Sequence, residues 1–145
     1  MATFVWKNAY FALQKASSAA VDLSDHLTEA TVNLAPEVLD ETAHGDSWRT
    51  RKVGLYDWNI TVTLHQDFAA SKTDSVVYSY MVAQASSTIT AYIRQSKSSS
   101  IAATNPSYNG PVIIESYNPI SGTVGELATV SVSMQGNGIL TRDVV

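Results

Sequence analysis

The stretch LYDWNITVTLHQ, from Leu55 to Gln66, decides the fold of this chain. Its apolar side chains are Tyr56, Trp58, Ile60, Val62 and Leu64, and the polar ones between them are Asp57, Asn59, Thr61, Thr63 and His65. Side chains on a strand point alternately to opposite faces, so a period of two predicts a strand with one buried and one solvated face. A parallel strand buried on both faces would be continuously apolar. We therefore expect the central strand of an antiparallel sheet.

The remaining elements follow from what could pair with this strand or cover it. A short helix is expected at about Asp74 to Ala85, capped by Thr73 or Asp74, with Val76, Val77, Tyr80 and Met81 as its apolar stripe. Six or seven strands with one helix predict a mainly β chain, an antiparallel β-sandwich in a single domain over residues 1–145. The other strands are expected at Thr3 to Leu13, Leu27 to Leu34, Thr88 to Arg94, Pro111 to Tyr117 and Leu127 to Gln135.

Composition excludes several classes of protein. The chain has no cysteine, which removes disulfide scaffolds and thiolate metal sites. Its net charge is −4, whereas a protein that grips nucleic acid through phosphates is expected to be basic. Only 15% of its residues are charged, which favours large faces buried against other subunits. A monomer with a Ser/Thr-rich surface is the alternative.

A long segment without periodicity, Pro36 to Gly54, separates two predicted strands. A loop of about 19 residues is unusual, and such loops are generally functional or disordered. Its acids, Glu37, Asp40, Glu41 and Asp46, precede its bases, Arg49, Arg51 and Lys52. The segment could fold back on itself as a solvated hairpin whose acids meet its bases. It could also be an arm that contacts another copy of the protein through these charges, His44 and Trp48.

No constellation of residues indicates catalysis. His26, His44 and His65 share no metal-ligand spacing, and no GxSxG elbow or phosphate-binding loop occurs. The adjacent carboxylates Asp40 and Glu41 have no fixed separation of the kind that acid–base hydrolysis needs. We therefore expect no enzyme activity, no metal and no cofactor.

The order of these features resembles the tail tube, or major tail, proteins of long-tailed bacteriophages of the siphovirus type. The stretches that carry the resemblance are Val21 to Leu34, Leu39 to Phe68, the helix after Ala69-Ala-Ser-Lys-Thr-Asp74, and Asn105 to Arg142. The loops at Gln14 to Ala20 and 95–104 depart from it.

The resemblance implies a β-sandwich flanked by a helix, six copies of which join strands into a ring, with rings stacking into a hollow tube for DNA. Glu37, Asp40, Glu41, His44, Asp46, Trp48, Arg49, Arg51 and Lys52 would then contact adjacent subunits. The implied partners are further copies of the chain and other tail proteins, namely the tape measure, tail terminator and distal tail proteins. DNA would be transient cargo, no membrane is involved, and the protein would be assembled in the host cytoplasm into the virion.

Other functions of the same sandwich stay open. A capsid decoration or cement protein would stop at a dimer or trimer, and a tail-completion protein would sit at the end of a tube. A carbohydrate-binding sandwich would use Trp48, Tyr108 or Tyr117 as stacking platforms.

Overall fold

The computed structural model describes residues 3–145, which form eight strands, one α-helix and one 3₁₀ turn. The strands are β1 Tyr10–Lys15, β2 Val21–Asp22, β3 Leu27–Asp40, β4 Arg51–His65, β5 Ile89–Arg94, β6 Ser107–Tyr117, β7 Thr129–Gly136 and β8 Thr141–Asp143. The helix α1 spans Thr73–Ala83, and the 3₁₀ turn spans Ser24–His26. The mainly β fold with one helix is confirmed.

All strand pairs are antiparallel, and the order across the sheet is β2-β1-β5-β6-β7-β4-β3, with β8 also paired to β6. The predicted strand at Leu55 to Gln66 is β4, which is paired on both sides. It lies next to the edge of the sheet, however, so the expectation that it is the central strand was wrong. The central position belongs to β6, whose pattern is interrupted by Pro111 and Gly110.

Strand β6 belongs to two halves of the sheet. Its residues 107–112 pair with β5, and residues 112–117 pair with β7. The register shifts between Ile114 and Ser116, and a bulge of this kind bends a strand. Pro111 was predicted to start the strand but lies in its middle. The Pro111 carbonyl accepts a hydrogen bond from the Asn137 N–H, on the β7 side of the strand. Pro111 lies between residues 107–109, which pair with β8, and residues 112–117, which pair with β7, so the N–H that proline lacks is not needed for either ladder.

The sheet curls so that its two halves face each other. One cavity is lined both by Ala30 and Val32 of β3 and by Ile93 of β5 and Tyr108 of β6. Strands β3 and β5 are four positions apart, which would separate them by about 19 Å in a flat sheet. The half β2-β1-β5-β6 therefore packs over the half β6-β7-β4-β3, giving the expected sandwich.

The core follows the alternation in β4 and β7. Ile60, Val62 and Leu64 are buried on β4, and Val130, Val132 and Met134 are buried on β7. Each such side chain contributes about 1.5–3 kcal/mol when it leaves water. Trp58 is also buried, but Tyr56 is 72% exposed, because β7 reaches only to Asn59 along β4.

The Trp58 indole is packed between strands that carry glycine. A Cβ on Gly136 would lie 2.3 Å from Trp58 Cε2, and one on Gly110 would lie 2.8 Å from Cζ2. The indole Nε1–H donates to the Gly138 carbonyl at 2.7 Å. The predicted strand began only at Pro111, whereas Gly110 lies inside β6, where it makes room for this ring.

The helix lies where the sequence placed it, with Val76, Val77 and Tyr80 buried. The predicted cap was wrong, because the N-cap residue is Lys72 and no side chain caps the helix. Thr73 Oγ1–H instead donates to the His65 carbonyl at 3.0 Å. The Asp74 carboxylate accepts from Tyr117 Oη at 2.9 Å, so both polar side chains bind other elements.

The first strand is shorter than predicted at its start. Residues 3–9 form no strand, and β1 begins at Tyr10 and continues to Lys15, into the segment that was predicted as a turn. Among the described residues, α1 is the only α-helix, and it is too short to cross a bilayer.

Candidate functional site

Strands β3 and β4 extend beyond the end of their neighbour β7. They have 14 and 15 residues, and β7 pairs with β4 only from Asn59 to His65. Residues 34–57, which we call the hairpin arm, therefore project as a two-stranded ribbon beyond the sandwich. The turn at the tip of the arm comprises residues 41–50. The predicted loop Pro36 to Gly54 was thus wrong at both ends, where the residues are strand.

Two features explain why these strand ends could not be predicted from the sequence. The register shifts between Pro36 and Val38, which breaks the alternation. Gly54 lies against Glu37, and a Cβ at Gly54 would be 2.9 Å from the Glu37 carboxylate. Gly54 and Leu55 of β4 thus lie opposite the single residue Glu37 of β3, and such a bulge removes the period of two from which strands are predicted.

The hairpin arm exposes large apolar side chains. Trp48 is 85% exposed and Leu55 80% exposed, and the other members of the set are Leu34, Val38, Leu39, Val53 and Tyr56. A two-stranded ribbon is marginally stable in water, and clustered exposed apolar residues mark an interaction surface. The arm therefore has the composition of a surface that another molecule covers.

The charges of the hairpin arm meet one another. Arg49 Nη1 lies 3.1 Å from Asp40 Oδ2, and Lys52 Nζ lies 3.4 Å from Glu41 Oε1. Hydrogen bonds from Thr42, and then from Arg49, lower the pKa of Asp40. Both ion pairs are exposed, and such pairs contribute little to stability. The hairpin interpretation is correct for the contacts within one chain, and the large apolar side chains of the arm stay exposed.

The other predicted contact residues are distributed along the arm. Glu37 is on β3 opposite Gly54, and Arg51 begins β4 opposite Asp40. His44 and Asp46 are in the tip, where Asp46 Oδ2 accepts from Ala43 N–H at 2.8 Å and Gly45 adopts a positive φ of 100°. All nine predicted residues therefore lie on one projecting element.

The half-sheet β6-β7-β4-β3 ends in two open edges. Among residues 3–145, no strand pairs with the outer side of β3, and none pairs with the side of β6 away from β7 after Val112. A long unpaired edge is a template for strand addition unless it is covered. Sequence reasoning did not locate these edges, because it did not establish the strand order.

On the outward face of the same half-sheet, polar side chains form rows across β3, β4 and β7, and these rows contain no Lys or Arg. Three rows cross β3, β4 and β7, and we call this set the polar face: Glu29–Thr63–Ser131, Thr31–Thr61–Ser133 and Asn33–Asn59–Gln135. Gln135 donates to the Glu115 carboxylate at 3.2 Å. Glu115 is therefore a second acidic residue at this face, besides Glu29. The face offers hydroxyls, amides and carboxylates to solvent, with nothing in these rows to pair with a phosphate.

His26 is held by two carboxylates, whereas His65 lies on β4 and His44 lies in the arm tip. His26 lies between Asp25, at 2.9 Å, and Asp67, at 3.0 Å. Burial opposes protonation there, but the hydrogen bonds to Asp67 and Asp25 outweigh it, so the pKa of His26 is raised. The buried His65 Nδ1 has no hydrogen-bond partner. Within residues 3–145, no three His, Asp or Glu side chains are arranged to hold a metal ion.

Of the three aromatic residues considered for sugar stacking, only Trp48 is exposed. Tyr108 and Tyr117 are half-buried. Tyr117 donates to Asp74, and burial together with that carboxylate, against the Gln66 amide, raises the pKa of Tyr117 to about 12.

Comparison with known proteins gives a match by structure. No protein-family model matches the sequence, and no curated protein is significantly similar to it. One solved structure with the same fold is the SPP1 tail tube, with a TM-score of 0.69 at 15% identity over 95% of this chain and 78% of that one. A second is the C6-symmetric tail of an empty gene transfer agent particle, with a TM-score of 0.68 at 15% identity over 92% and 93%.

A third is the baseplate of the anti-feeding prophage, six-fold symmetrised, with a TM-score of 0.68 at 7% identity over 98% and 96%. At such identities the likeness establishes the fold. The tail-tube fold that the sequence resemblance implied is thereby confirmed, and this chain has the fold of phage-type tail tube proteins.

Proposed function

We propose that this chain is a structural virion protein, a tail tube subunit whose copies form hexameric rings that stack into a hollow tube for DNA. The observation that carries the proposal is the tube fold over 95% of the chain, combined with two open edges on one half-sheet. One of the matched tails has C6 symmetry, which supports the hexamer. The whole of residues 1–145 would be one tube domain.

The ring would close through the edges. The open side of β3 lies at one end of the half-sheet, and the open side of β6 lies at the other. A joint between two different edges is head-to-tail, and head-to-tail contacts that close by rotation form rings. Joining also removes both unpaired edges, which are a hazard in a free subunit.

The hairpin arm would reach a neighbouring subunit or the next ring. Trp48 is of the residue type that anchors interfaces, and it lies in the arm tip with 85% of its surface exposed. The segregated charges would select register and partner more than they add affinity, because exposed charges act mainly on specificity and association rate. The predicted contacts, Glu37 through Lys52, belong to this proposal.

The polar face would line the bore. DNA binds proteins through Lys and Arg at its phosphates, and the rows of this face contain neither. A wall of hydroxyls and amides with Glu29 and Glu115 would hydrate the passing duplex and repel it weakly. The net charge of −4 agrees with transient, non-specific passage rather than binding.

The location and partners follow from the same role. The chain would be assembled in the host cytoplasm into the virion tail. Its partners would be further copies, the tape measure protein, the tail terminator and the distal tail protein. Such a role requires no cofactor, metal or membrane, and it is structural rather than catalytic.

Negative-stain electron microscopy of the purified, concentrated protein tests this function. We expect six-fold rings and tubes of uniform width. A protein that stays monomeric at high concentration would contradict the proposal, and one that stops at a dimer or trimer would indicate a capsid cement protein.

A second candidate is a tail-completion or baseplate ring. The likeness to the anti-feeding prophage baseplate over 98% of this chain favours it. The same micrographs decide between the two, because such a protein would form single rings that do not stack into tubes.

A further inference from the structure

One glutamine side chain is bound to the backbone of β6 like a short strand. Gln84 follows the last residue of α1. Its Oε1 accepts from the Ile114 N–H at 2.8 Å, and its Nε2–H donates to the Ile114 carbonyl at 3.1 Å. Both backbone groups of one residue are therefore satisfied by a single amide, the pattern that a neighbouring strand would provide.

The amide sits where the β5–β6 ladder stops. The last pair is Ile89 with Val112, and Ile89 is the first residue of β5. The N–H and C=O groups of a strand residue point to the same side, and they alternate along the strand. Pro111 bonds toward β7, through Asn137, so Ile114 faces the other side, which β5 would occupy if it were longer. Gln84 thus continues the ladder by one step.

Beyond this point the edge is open. Glu115 and Ser116 are exposed, and within the described chain no strand pairs with this side of residues 115–117. The other open edge of the same half-sheet is β3. The occupant that fits is therefore β3 of a second copy, since it is extended, 14 residues long and unpaired on its outer side.

We propose that Gln84 sets the register at which β3 of a second copy adds to β6. The inference rests on the proposed tube function. Because Gln84 already binds the Ile114 N–H and C=O, the β3 strand of a second copy can form backbone hydrogen bonds with β6 only beyond Ile114. Without the amide, the ladder could extend back by one repeat, which is two residues. Such a slip keeps inward and outward faces correct but displaces every row of the polar face relative to the next subunit.

The test compares three variants. Gln84→Ala removes both hydrogen bonds. Gln84→Glu keeps an acceptor of the same length for the Ile114 N–H but loses the donor to the Ile114 carbonyl. Gln66→Ala is the matched control, because Gln66 bonds Tyr117 Oη and the Pro119 carbonyl in the same region without touching Ile114.

In dilute, unassembled protein, we expect exchange of the Ile114 amide hydrogen to become about tenfold faster in Gln84→Ala, the effect of losing one hydrogen bond. It should stay near the wild-type rate in Gln84→Glu and Gln66→Ala. On concentration, Gln84→Ala should form rings or tubes of mixed width, whereas the other three proteins should form uniform ones.

The outcomes separate the two proposals. Wild-type protein that forms no rings would refute the tube function, and the register role with it. Wild-type tubes with equally uniform Gln84→Ala tubes would refute only the register role and leave Gln84 as an anchor of the helix. A Gln84→Ala protein that does not fold shifts the test to Gln84→Met, which fills the space without the hydrogen bonds and should also give mixed widths.

Discussion

The strand pair β3–β4 is continuous, but its two ends differ in burial: one end lies in the sandwich and the other forms the exposed hairpin arm. Near the sandwich, Ile60, Val62 and Leu64 are buried between β3, β7 and the facing half-sheet. In the hairpin arm, side chains as apolar as Val53 and Leu55 are exposed. Apolar alternation alone therefore does not distinguish a core strand from an exposed one. The distinction comes from whether a third strand is present, and β7 ends at Gly136.

The comparison also separates two kinds of stability. The buried end should determine whether the monomer folds, and the exposed end should determine whether monomers associate. Each of the following changes acts on one end and should leave the other nearly unaffected.

The largest effect is expected at the buried end, from Gly136→Ala. The added Cβ would lie 2.3 Å from the Trp58 ring, and overpacking of this kind costs about 1–3 kcal/mol. Urea denaturation should show the loss as a lower midpoint. Gly122→Ala is the control, since its Cβ would meet only Ala128 at 4.0 Å, and it should change stability by less than about 0.5 kcal/mol. Equal midpoints for both variants would contradict the close contact between Gly136 and the Trp58 ring.

The next effect is expected at the exposed end, from replacing Asp40 to Arg51 with Asn-Gly. Leu39 and Lys52, which are cross-strand partners, would then be joined by a tight turn that suits a hairpin. The free energy of unfolding should change by less than about 1 kcal/mol, because the removed side chains are solvated. Assembly, followed by light scattering, should be lost or need at least about tenfold more protein. Tubes of normal yield would refute the role of the arm.

A smaller effect is expected from reversing charge in the arm with Arg49→Glu and Arg51→Glu. Arg49 loses its pairing with Asp40, and Lys52 is left as the one Lys or Arg of the arm. Assembly should weaken most at low salt, since salt screens exposed charges beyond about 10 Å at 0.1 M. Lys7→Glu with Lys15→Glu makes the same change in net charge outside the arm and should not alter the salt dependence of assembly. An unchanged salt dependence in the arm variant would count against an electrostatic contact there.

The smallest effect concerns a clamp at the base of the hairpin, where His26 precedes β3 and Asp67 follows β4. The pKa of His26 is raised in the folded state, so its contribution is full below the unfolded value of about 6.5 and is lost as pH rises through the folded pKa. The pKa of Asp67 is lowered, so its contribution is lost as pH falls through that folded value.

The clamp should therefore stabilise the fold most between these limits, in mildly acidic buffer. Thermal melts from pH 5 to 8 should show a step of roughly 2 °C in wild-type protein that His26→Gln abolishes. His44→Gln, in the arm tip, should retain the step. A step that survives in His26→Gln would assign it to another group.

The sequence predicted the parts of the fold whose surroundings are uniform along an element. Strands β4 and β7 alternate because both have strand partners and one dry face, and α1 shows its stripe because it lies on the sheet. Strand β6 was shortened in the prediction because Tyr108-Asn-Gly110 has turn composition. Its glycine in fact makes room for Trp58, which is 52 positions earlier and which no local pattern connects to it.

The candidate site divides in the same way. The hairpin arm was identified as a special segment from its length and charge order, although its strands were hidden by Pro36 and by the bulge at Gly54. The open edges and the Gln84 contact could not be predicted, since Gln84 and Ile114 are 30 residues apart and meet only when β5 ends early. The likeness to solved tail proteins agrees with the resemblance in the sequence.

Strand β6 has a mechanical consequence, because one backbone belongs to both halves of the sandwich. A force applied to residues 115–117 would travel along covalent bonds into residues 107–112 and so into β5 and β1, without crossing a layer of side chains. In the proposed tube, under bending or ejection pressure, the two halves of each sandwich could therefore not separate at β6 by loss of side-chain packing alone. Separation there would require β6 to break or to lose its backbone hydrogen bonds to β5 or to β7.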